Sequence, residues 1–520
     1  MSNVPVGPHR DEHFGDTTRP TPSGNAAAST PAAKALRLQI IAVLILLVAI
    51  VTIIGIPRLP PGVCYGDAGD LQLASACLGI THPPGYTAYV TLGRLATLLP
   101  GVEPAYAVSL LCMSLGILVL ILCVLIQVEL GVNPWAAGAV ALLLTAHPRF
   151  WLNLTTPEVY MPSLAFLVGA VYLVIRYART HRQIFVYAAA FLFGVAIANR
   201  PPLLLLLPFF VIAWWLAARR REHSAYRWLK SSLVILGLGA LPSFYSFAYL
   251  WVRDTPQTPY NYLEQHNAEN HEYRQSTAGS AAKLERVIWH ASAKQFHYRV
   301  GNDWRGIRAK LRWLRVQLVA YDALPYTVIG LLGVLGAVVT LRRNVIAGIL
   351  LCGLCLQTAF FVCMFRDVGQ AADLMPLLFS SVVFGGVTLS LLFPQGGNPR
   401  RNVAACALMI AISVLTILHV PHRPRYGASI DAEPYLKEAD LLTFPKNSVI
   451  IAVWTESLPL LYEQYLIGTR PDIKVVIAQP GNWLRMAKEY ADRPIFFARK
   501  DGLLKERGIT PFRNMWWLAD

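Results

Sequence analysis

Charged side chains are scarce in this chain of 520 residues: Asp, Glu, Lys and Arg make up 15% of it, whereas apolar residues make up 55%. Soluble domains average about 25% charged and about 45–50% apolar residues, so a water-soluble enzyme is excluded. The apolar residues form runs of about 20 residues separated by short polar segments, the length that crosses about 30 Å of hydrocarbon. The sequence therefore predicts a polytopic membrane protein.

Metal-binding and phosphate-binding motifs are also lacking. Six of the eight cysteines lie in apolar runs, where cysteine behaves as a small apolar residue. Cys64 and Cys77 share one loop outside the membrane, and the sequence leaves open whether they form a disulfide or are held too far apart. The chain has no Gly-rich phosphate loop and no strong internal repeat.

The net charge of +16 could suggest a nucleic-acid partner, but its distribution indicates membrane topology instead. Segments 176–182, 219–230, 342–343 and 400–401 carry twelve Lys or Arg and one acidic residue, Glu222. These segments alternate with poorly charged ones, as the positive-inside rule requires. We therefore predict that these basic residues lie next to the lipid bilayer and do not bind nucleic acid.

Eleven membrane spans are predicted from hydropathy. An odd number places the two termini on opposite sides, and a cytoplasmic N-terminus puts all four basic segments inside. The predicted spans are residues 38–56, 106–128, 134–148, 158–177, 184–198, 202–218, 231–251, 323–341, 345–364, 374–393 and 403–420.

Three regions follow from this topology. Residues 1–35 are predicted to be a disordered cytoplasmic tail, because they contain almost no large apolar side chains. Residues 36–420 form the transmembrane domain, with a first outer loop at 57–105 and a second, aromatic and basic, outer loop at 252–322. Within these loops we expect short helices at 70–80 and 86–99 and an interfacial helix pair at 281–320. Residues 421–520 are predicted to be a small extracytoplasmic α/β domain with parallel strands at 448–453, 474–478 and 494–498.

Acidic residues at the outer side are the first functional candidates. Asp67 and Asp70 lie in a Gly-rich segment about ten residues beyond the first span, where two carboxylates can approach one site and act as a base or hold a metal. The alternative is that Asp70 caps a helix starting near residue 71, with about even odds. Glu158 could likewise cap a span.

Two further outer segments carry candidate anion ligands. His82 precedes Pro-Pro-Gly in what reads as a rigid turn, and its imidazole could bind a phosphate oxygen. Asn199 and Arg200 stand between two long apolar runs, where a cation should be held by an anion. A guanidinium group fits a lipid phosphate.

Four blocks resemble a known family. They are Asp-Ala-Gly-Asp-Leu at 67–71, Gly-Ile-Thr-His-Pro-Pro-Gly-Tyr at 79–86, Leu-Gly-Arg-Leu at 92–95 and Pro-Glu-Val-Tyr at 157–160. They are similar to those of an uncharacterised-domain family of membrane proteins related to protein O-mannosyltransferases, among the lipid-dependent glycosyltransferases of the GT-C fold. The resemblance covers residues 60–210 and returns faintly from Asp367 to Pro376. Asp70 replaces the more usual Glu, and Arg200 stands where His is expected.

This resemblance implies a membrane glycosyltransferase that moves a sugar, mannose or a similar hexose, from a polyprenyl-phosphate carrier to an acceptor hydroxyl on the outer face, with inversion. Asp67 would be the general base, and Asp70 would support it or orient the acceptor. Arg200 and His82 would hold the lipid phosphate, and Glu158 would bind sugar hydroxyls. Tyr160, Asn199 and Asp367 complete the predicted donor site. A divalent cation, Mg²⁺ or Mn²⁺, at Asp67 and Asp70 is optional.

Other functions stay open at this level. A transporter or flippase of a lipid-linked sugar would also need many spans, but the spans here are almost free of charge and the polar groups collect at one face. A non-catalytic scaffold is disfavoured because both acids of the first outer loop are present. Whether the acceptor is a protein, a glycan or a lipid is not readable from a motif. The short inner segments favour a bacterial inner membrane.

Overall fold

The computed structural model describes residues 31–219, 225–266, 279–319, 324–366, 374–396, 398–419, 430–498, 510–512 and 515–518. These residues are mostly helical. The helices are α1 (Pro31–Gly55), α2 (Gly66–Cys77), α3 (Thr87–Ala96), α4 (Pro104–Glu129), α5 (Pro134–Leu143), α6 (Pro148–Thr155), α7 (Tyr160–Thr180), α8 (Gln183–Asn199), α9 (Leu207–Ala218), α10 (Ala225–Arg253), α11 (Tyr262–His266), α12 (Ser280–Ala291), α13 (Trp304–Val319), α14 (Leu324–Arg343), α15 (Val345–Met364), α16 (Met375–Leu389), α17 (Pro399–His419), α18 (Glu433–Ala439), α19 (Trp454–Tyr462) and α20 (Trp483–Glu489).

Each of the eleven predicted spans corresponds to a helix. Among the described residues, seven helical segments are long and apolar enough to cross a membrane: Pro31–Arg58, Pro104–Glu129, Tyr160–Thr180, Pro201–Ala218, Trp228–Arg253, Val345–Met364 and Pro399–Leu418. Shorter apolar helices lie at Pro134–Ala146, Gln183–Asn199 and Met375–Leu389, and α14 occupies the remaining span. Large apolar side chains on these helices point outward, such as Ile53, 74% exposed, and Phe244, 70% exposed. Such a surface belongs in lipid, and the chain is an integral, multi-pass membrane protein.

The first outer loop contains the two short helices that the sequence predicts, α2 and α3. However, α2 begins at Gly66 rather than near residue 70, so that Asp67 lies in its first turn and Asp70 in its second. In the second outer loop, α12 and α13 fall within the predicted helix pair. Cys64 and Cys77 are both free thiols, so the disulfide does not form in this structure.

The C-terminal part contains the predicted parallel strands: β1 (Val449–Ala452), β2 (Lys474–Ile477) and β3 (Ile495–Phe497). β1 pairs with both β2 and β3 in parallel. An antiparallel hairpin, β4 (Thr510–Phe512) and β5 (Met515–Leu518), extends the sheet in the order β2-β1-β3-β5-β4. The sequence did not predict this hairpin.

The C-terminal part shares an apolar core with both outer loops. One buried cluster contains Leu73 and Val90 from the first loop, Tyr260 from the second, and Leu458 and Ile477 from the C-terminal part. Gly69 permits this packing, because a Cβ atom there would lie 2.1 Å from the carbonyl oxygen of Cys64 and 3.3 Å from the Cβ atom of Leu458. The sheet and α19 are thereby fixed beside α2.

Candidate active site

Asp67 and Asp70, two acidic residues of the first outer loop, lie on one face of α2. Asp67 and Asp70 are three residues apart, which is the spacing of neighbours on a helix surface. The side chain of Asp67 is 55% exposed and that of Asp70 is fully buried. The N-cap of α2 is Tyr65, so the alternative that Asp70 caps this helix is wrong. The two carboxylates lie close to each other, as the sequence predicts. The cause is their spacing on one helix and not a turn formed by the glycines.

His82 lies between these two carboxylates. Asp70 Oδ2 accepts hydrogen bonds from the backbone N–H of His82 at 3.0 Å and from its Nδ1 at 2.6 Å. The opposite ring nitrogen, Nε2, is 3.8 Å from Asp67 Oδ2. A neutral imidazole has one N–H, whereas the imidazolium has two and can donate toward both acids. The ring thus bridges the buried and the exposed carboxylate.

The electrostatics favour the charged form of this ring. Burial alone would lower the pKa of His82, but Asp67 and Asp70 oppose it and raise the pKa to about 9. Burial raises the pKa of Asp70, while its hydrogen bonds with His82 and Tyr260 act in the opposite direction. Because both oxygens of Asp70 accept hydrogen bonds, we describe the pair as an imidazolium and a carboxylate.

Tyr260, from the second outer loop, completes the surroundings of Asp70. Its hydroxyl donates to Asp70 Oδ1, and burial and the charge of Asp70 raise the pKa of Tyr260, which keeps that proton in place. The loop is held there because the N–H of Ile80 donates to the carbonyl of Tyr260 at 2.9 Å. Gly79 allows this approach, since a Cβ atom on it would be 2.6 Å from the same carbonyl oxygen.

Glu158 belongs to the same electrostatic group. It lies between α6 and α7, and the N-cap of α7 is Val159, so Glu158 is not the capping residue. Desolvation and the charge of Asp67 raise the pKa of Glu158 to about 7, and His82 acts in the opposite direction. This carboxyl group therefore changes its charge near neutral pH.

Arg200 supplies a cation close to Tyr160 and Tyr86. The guanidinium group of Arg200 stacks over the ring of Tyr160, 4.9 Å from its centroid, and burial lowers the pKa of Arg200. Burial and the charges of Asp67 and Glu158 raise the pKa of Tyr86, and the charge of Arg200 lowers it, so the cation and the two carboxyl groups all lie within electrostatic range of this hydroxyl. The structure thus brings Tyr160 and Arg200 together near the carboxylates.

Asn199 differs from its neighbour Arg200. Its side chain is fully buried, and Nδ2 donates to Ser163 Oγ on α7 at 2.7 Å. This bond ties α8 to α7, and a role in donor binding stays a prediction. Asp367, the remaining predicted residue, lies outside the described residues.

Aromatic residues that the sequence analysis did not select as site residues surround His82, and one of them contacts Asp67. Trp454, at the start of α19, donates its Nε1–H to Asp67 Oδ1 at 2.8 Å. The rings of Tyr86, Trp454 and Tyr262 lie 5.0, 6.1 and 6.5 Å from the ring of His82. Tyr86 belongs to the sequence block at 79–86, and Tyr262 lies in the aromatic second outer loop. No sequence signal linked Trp454 to this site.

The divalent cation predicted at Asp67 and Asp70 would need donor atoms that are available there. Within the part of the chain that the structure describes, no group of three or more His, Cys, Asp and Glu side chains is arranged to hold a metal ion. Both oxygens of Asp70 already accept hydrogen bonds, and the imidazolium lies where a cation would bridge Asp67 and Asp70. The donor set therefore does not fit a bridging Mg²⁺ or Mn²⁺.

The segment that contains most of these site residues is similar to a known protein family. Residues 67–225 match the family described as Protein O-mannosyl-transferase TMEM260 N-terminal domain. The family resemblance predicted from the sequence is confirmed. Asp67, Asp70, His82, Glu158 and Arg200 all lie inside the TMEM260-like segment.

Two relatives share parts of this chain. Protein O-mannosyl-transferase tmem260 of Dictyostelium discoideum is 29% identical over 150 residues, which are 28% of this chain and 18% of that protein. Protein O-mannosyl-transferase TMEM260 of Mus musculus is 44% identical over 70 residues, which are 13% of this chain and 10% of that protein. The matches therefore span less than a fifth of the length of these relatives.

A solved structure shows the fold beyond the TMEM260-like segment. ArnT from Cupriavidus metallidurans in the apo state aligns with a TM-score of 0.53 and 12% sequence identity, over 91% of this chain and 97% of that one. The GT-C-like fold predicted from the sequence is confirmed. Tyr260 and Trp454, which contact the two acids, come from the part of the chain that follows the TMEM260-like segment.

Proposed function

We propose that this chain is a membrane glycosyltransferase that transfers one sugar, mannose or a similar hexose, from a polyprenyl-phosphate carrier to an acceptor hydroxyl on the outer face of the membrane. The observation that carries the proposal is the half-exposed carboxylate of Asp67 beside a buried imidazolium–carboxylate pair. This pair lies in a segment similar to protein O-mannosyltransferases, within a GT-C-like fold.

Asp67 is the proposed general base. Its carboxylate takes the proton of the acceptor hydroxyl while the hydroxyl oxygen forms a bond to the anomeric carbon. The bond between that carbon and the phosphate oxygen breaks on the opposite face, and its electron pair leaves with the phosphate. The product is inverted at the anomeric carbon, and the proton stays on Asp67. The transition state is oxocarbenium-like, so nearby carboxylates stabilise it.

His82 receives a different role from the phosphate contact that the resemblance implied. Its Nδ1 and backbone N–H are both bonded to Asp70, and its Nε2 faces Asp67. We therefore assign it to hold Asp67 in position. The second acid, Asp70, keeps the ring charged and is shielded from solvent, so it supports Asp67 rather than contacting the acceptor.

Arg200 is the proposed phosphate ligand. It follows α8 directly and lies over the ring of Tyr160, which limits the orientations of its planar fork. A guanidinium fork matches the oxygens of a phosphate, and binding it there stabilises the charge that develops on the leaving group. Glu158 is the proposed ligand of sugar hydroxyls, and with its pKa near 7 it can hydrogen-bond them in either of its protonation states.

The proposed topology places the N-terminus in the cytoplasm and the sheet outside, in a bacterial inner membrane. It rests on the four basic segments that share the cytoplasmic side and on the odd number of predicted spans. The acceptor, whether protein, glycan or lipid, is not assigned by the geometry.

The test is transfer of labelled sugar in membranes that contain the full chain. Membranes with the wild type receive radiolabelled polyprenyl-phosphate-mannose, and label is followed into protein, glycan and lipid fractions. We expect Asp67→Asn to lower transfer by at least about a hundredfold, since a general base contributes about 10²–10⁴ to the rate. The matched control is Asp492→Asn, at an exposed carboxylate of the C-terminal part.

Each outcome has a distinct meaning. Equal labelling by the wild type and Asp67→Asn would remove Asp67 as the base. Label that crosses the bilayer while still attached to its carrier, with no labelled product, would favour the transporter function. Transfer that fails in Asp67→Asn but persists in Asp492→Asn, at equal protein levels, supports the proposal and identifies the acceptor class.

A further inference from the structure

Trp454 lies just beyond the carboxyl end of a strand of the C-terminal sheet. It is the first residue of α19, which follows β1, and β1 is the central one of the three parallel strands. Side chains that follow the carboxyl ends of parallel strands commonly form the sites of open α/β sheets. Here that end of the sheet faces the first outer loop, and the indole reaches Asp67.

The contact between Trp454 and Asp67 orients the carboxylate. An indole N–H can only donate a hydrogen bond, and it donates to Asp67 Oδ1 at 2.8 Å. The other oxygen, Oδ2, is the one that faces His82 Nε2 at 3.8 Å. With a different donor near each oxygen, rotation of the carboxylate is restricted. A donor to an ionised acceptor also forms a stronger bond than one between neutral groups.

The indole ring is itself fixed by two neighbours. It lies 6.1 Å from the ring of His82 and 5.4 Å from the ring of Tyr262, in edge-on arrangements. Aromatic pairs favour this edge-to-face geometry. A phenylalanine at this position can retain the ring contacts while lacking the N–H, so the hydrogen bond can be removed separately from the packing.

Docking of the C-terminal part has contacts besides those of Trp454, which itself packs against the shared apolar core. The backbone N–H of Tyr65 donates to the carbonyl of Ile430 at 2.9 Å, and that of Ala432 donates to the carbonyl of Val63 at 2.9 Å. The N–H of Ala105 donates to the hydroxyl of Tyr462 at 3.1 Å. These bonds hold the two parts together when the indole is altered.

We propose that Trp454 is a positioning residue of the transfer reaction: its indole N–H holds the Asp67 carboxylate at the angle from which it takes the acceptor proton, so that the C-terminal domain completes the active site. The inference rests on the proposed function and deepens it, because it assigns to a domain outside the TMEM260-like segment a direct effect on the base.

Kinetics of Trp454→Phe in the full-length protein test this inference. We expect kcat for sugar transfer to fall about tenfold or more, which is the loss expected for a hydrogen bond to a charged group. The KM for polyprenyl-phosphate-mannose should stay unchanged, because the indole contacts the base and not the proposed phosphate ligand. The matched control is Trp483→Phe in the same domain, where the lost indole N–H donates to the carbonyl of Ala478 at 2.8 Å.

A second measurement tests the hydrogen bond between Trp454 and Asp67 without relying on activity. Purified protein is treated with a carbodiimide and an amine, and modification of Asp67 is quantified by mass spectrometry. Without its donor, Asp67 should react several-fold faster in Trp454→Phe than in the wild type and in Trp483→Phe. The fully buried Asp70 serves as the internal reference.

The outcomes separate the inference from the function on which it rests. A kcat of Trp454→Phe equal to that of the wild type overturns the inference alone. Equal losses in Trp454→Phe and Trp483→Phe, or a raised KM in place of a lowered kcat, assign Trp454 to domain stability and overturn it as well. If the wild type transfers no sugar, the proposed function fails and this inference with it, whatever the labelling of Asp67 shows.

Discussion

His82→Gln is the substitution that most directly probes the bridge between the two acids. The structure gives His82 a pKa of about 9 against an ordinary value of 6.5. A group whose pKa is raised on folding contributes its stabilisation fully below the unfolded value, here about 6.5, and loses it as the pH rises through the folded value, here about 9. At about 1.4 kcal/mol per pKa unit, this shift corresponds to about 3 kcal/mol.

A second consideration gives a similar magnitude. Removing one partner of a buried ion pair costs about 3–5 kcal/mol, because the other charge is left uncompensated. In His82→Gln that charge is Asp70, which retains the hydroxyl of Tyr260 as a donor. We therefore expect a loss of about 3 kcal/mol in the free energy of unfolding near pH 6, which shrinks toward pH 10.

The assay is thermal unfolding of the purified full-length protein in detergent, at one scan rate, from about pH 6 to about pH 10. The difference between wild type and His82→Gln isolates the ring from other groups that titrate in this range. His297→Gln, at an exposed histidine of the second outer loop, is the matched control. Curves of wild type and His82→Gln that run parallel over the whole range would refute the imidazolium bridge.

Three further predictions concern the same site. Glu158→Gln should leave the midpoint of thermal unfolding unchanged near pH 5 and raise that midpoint above pH 8. The pKa of Glu158 is about 7, so the wild type loses the stabilisation of a protonated carboxyl as the pH rises through 7, whereas the glutamine stays neutral. A midpoint that is lowered above pH 8 contradicts this reasoning. Tyr260→Phe should lower stability by about 1.5–3 kcal/mol, measured by the same assay, since Asp70 loses a donor that the solvent cannot replace. EDTA should leave sugar transfer unchanged, because the imidazolium occupies the position of a bridging metal, and activity lost to EDTA and restored by Mg²⁺ or Mn²⁺ would speak against that assignment.

The fold was predictable where local patterns determine it. Apolar runs of membrane length predicted eleven helices, and short apolar runs between polar turns predicted β1, β2 and β3. The hairpin of β4 and β5 was missed because β4 is only Thr510-Pro511-Phe512. Proline lacks the N–H of a central strand, but it is tolerated at a sheet edge. β4 is the edge strand in this sheet, a position that a short sequence pattern does not reveal.

The candidate site was predictable in its charges but not in its connections. Asp67, Asp70 and His82 were selected from their blocks, yet the capping alternative for Asp70 failed because α2 begins four residues earlier than expected. Only the folded chain shows that His82 spans the two acids, since the ring is positioned by the turn after α2 and by the pairing of Ile80 with the second outer loop. The partner of each acid, Tyr260 or Trp454, is distant in sequence and carries no motif.

These distant partners divide the site into two parts with different consequences. The TMEM260-like segment contains the carboxylates, the imidazole and the cation that the proposed reaction needs. The hydroxyl that secures Asp70 and the indole that secures Asp67 come from beyond residue 225. We expect the blocks of residues 67–225 to identify the chemistry, and the second outer loop and C-terminal sheet to determine how well the base is positioned for a given acceptor.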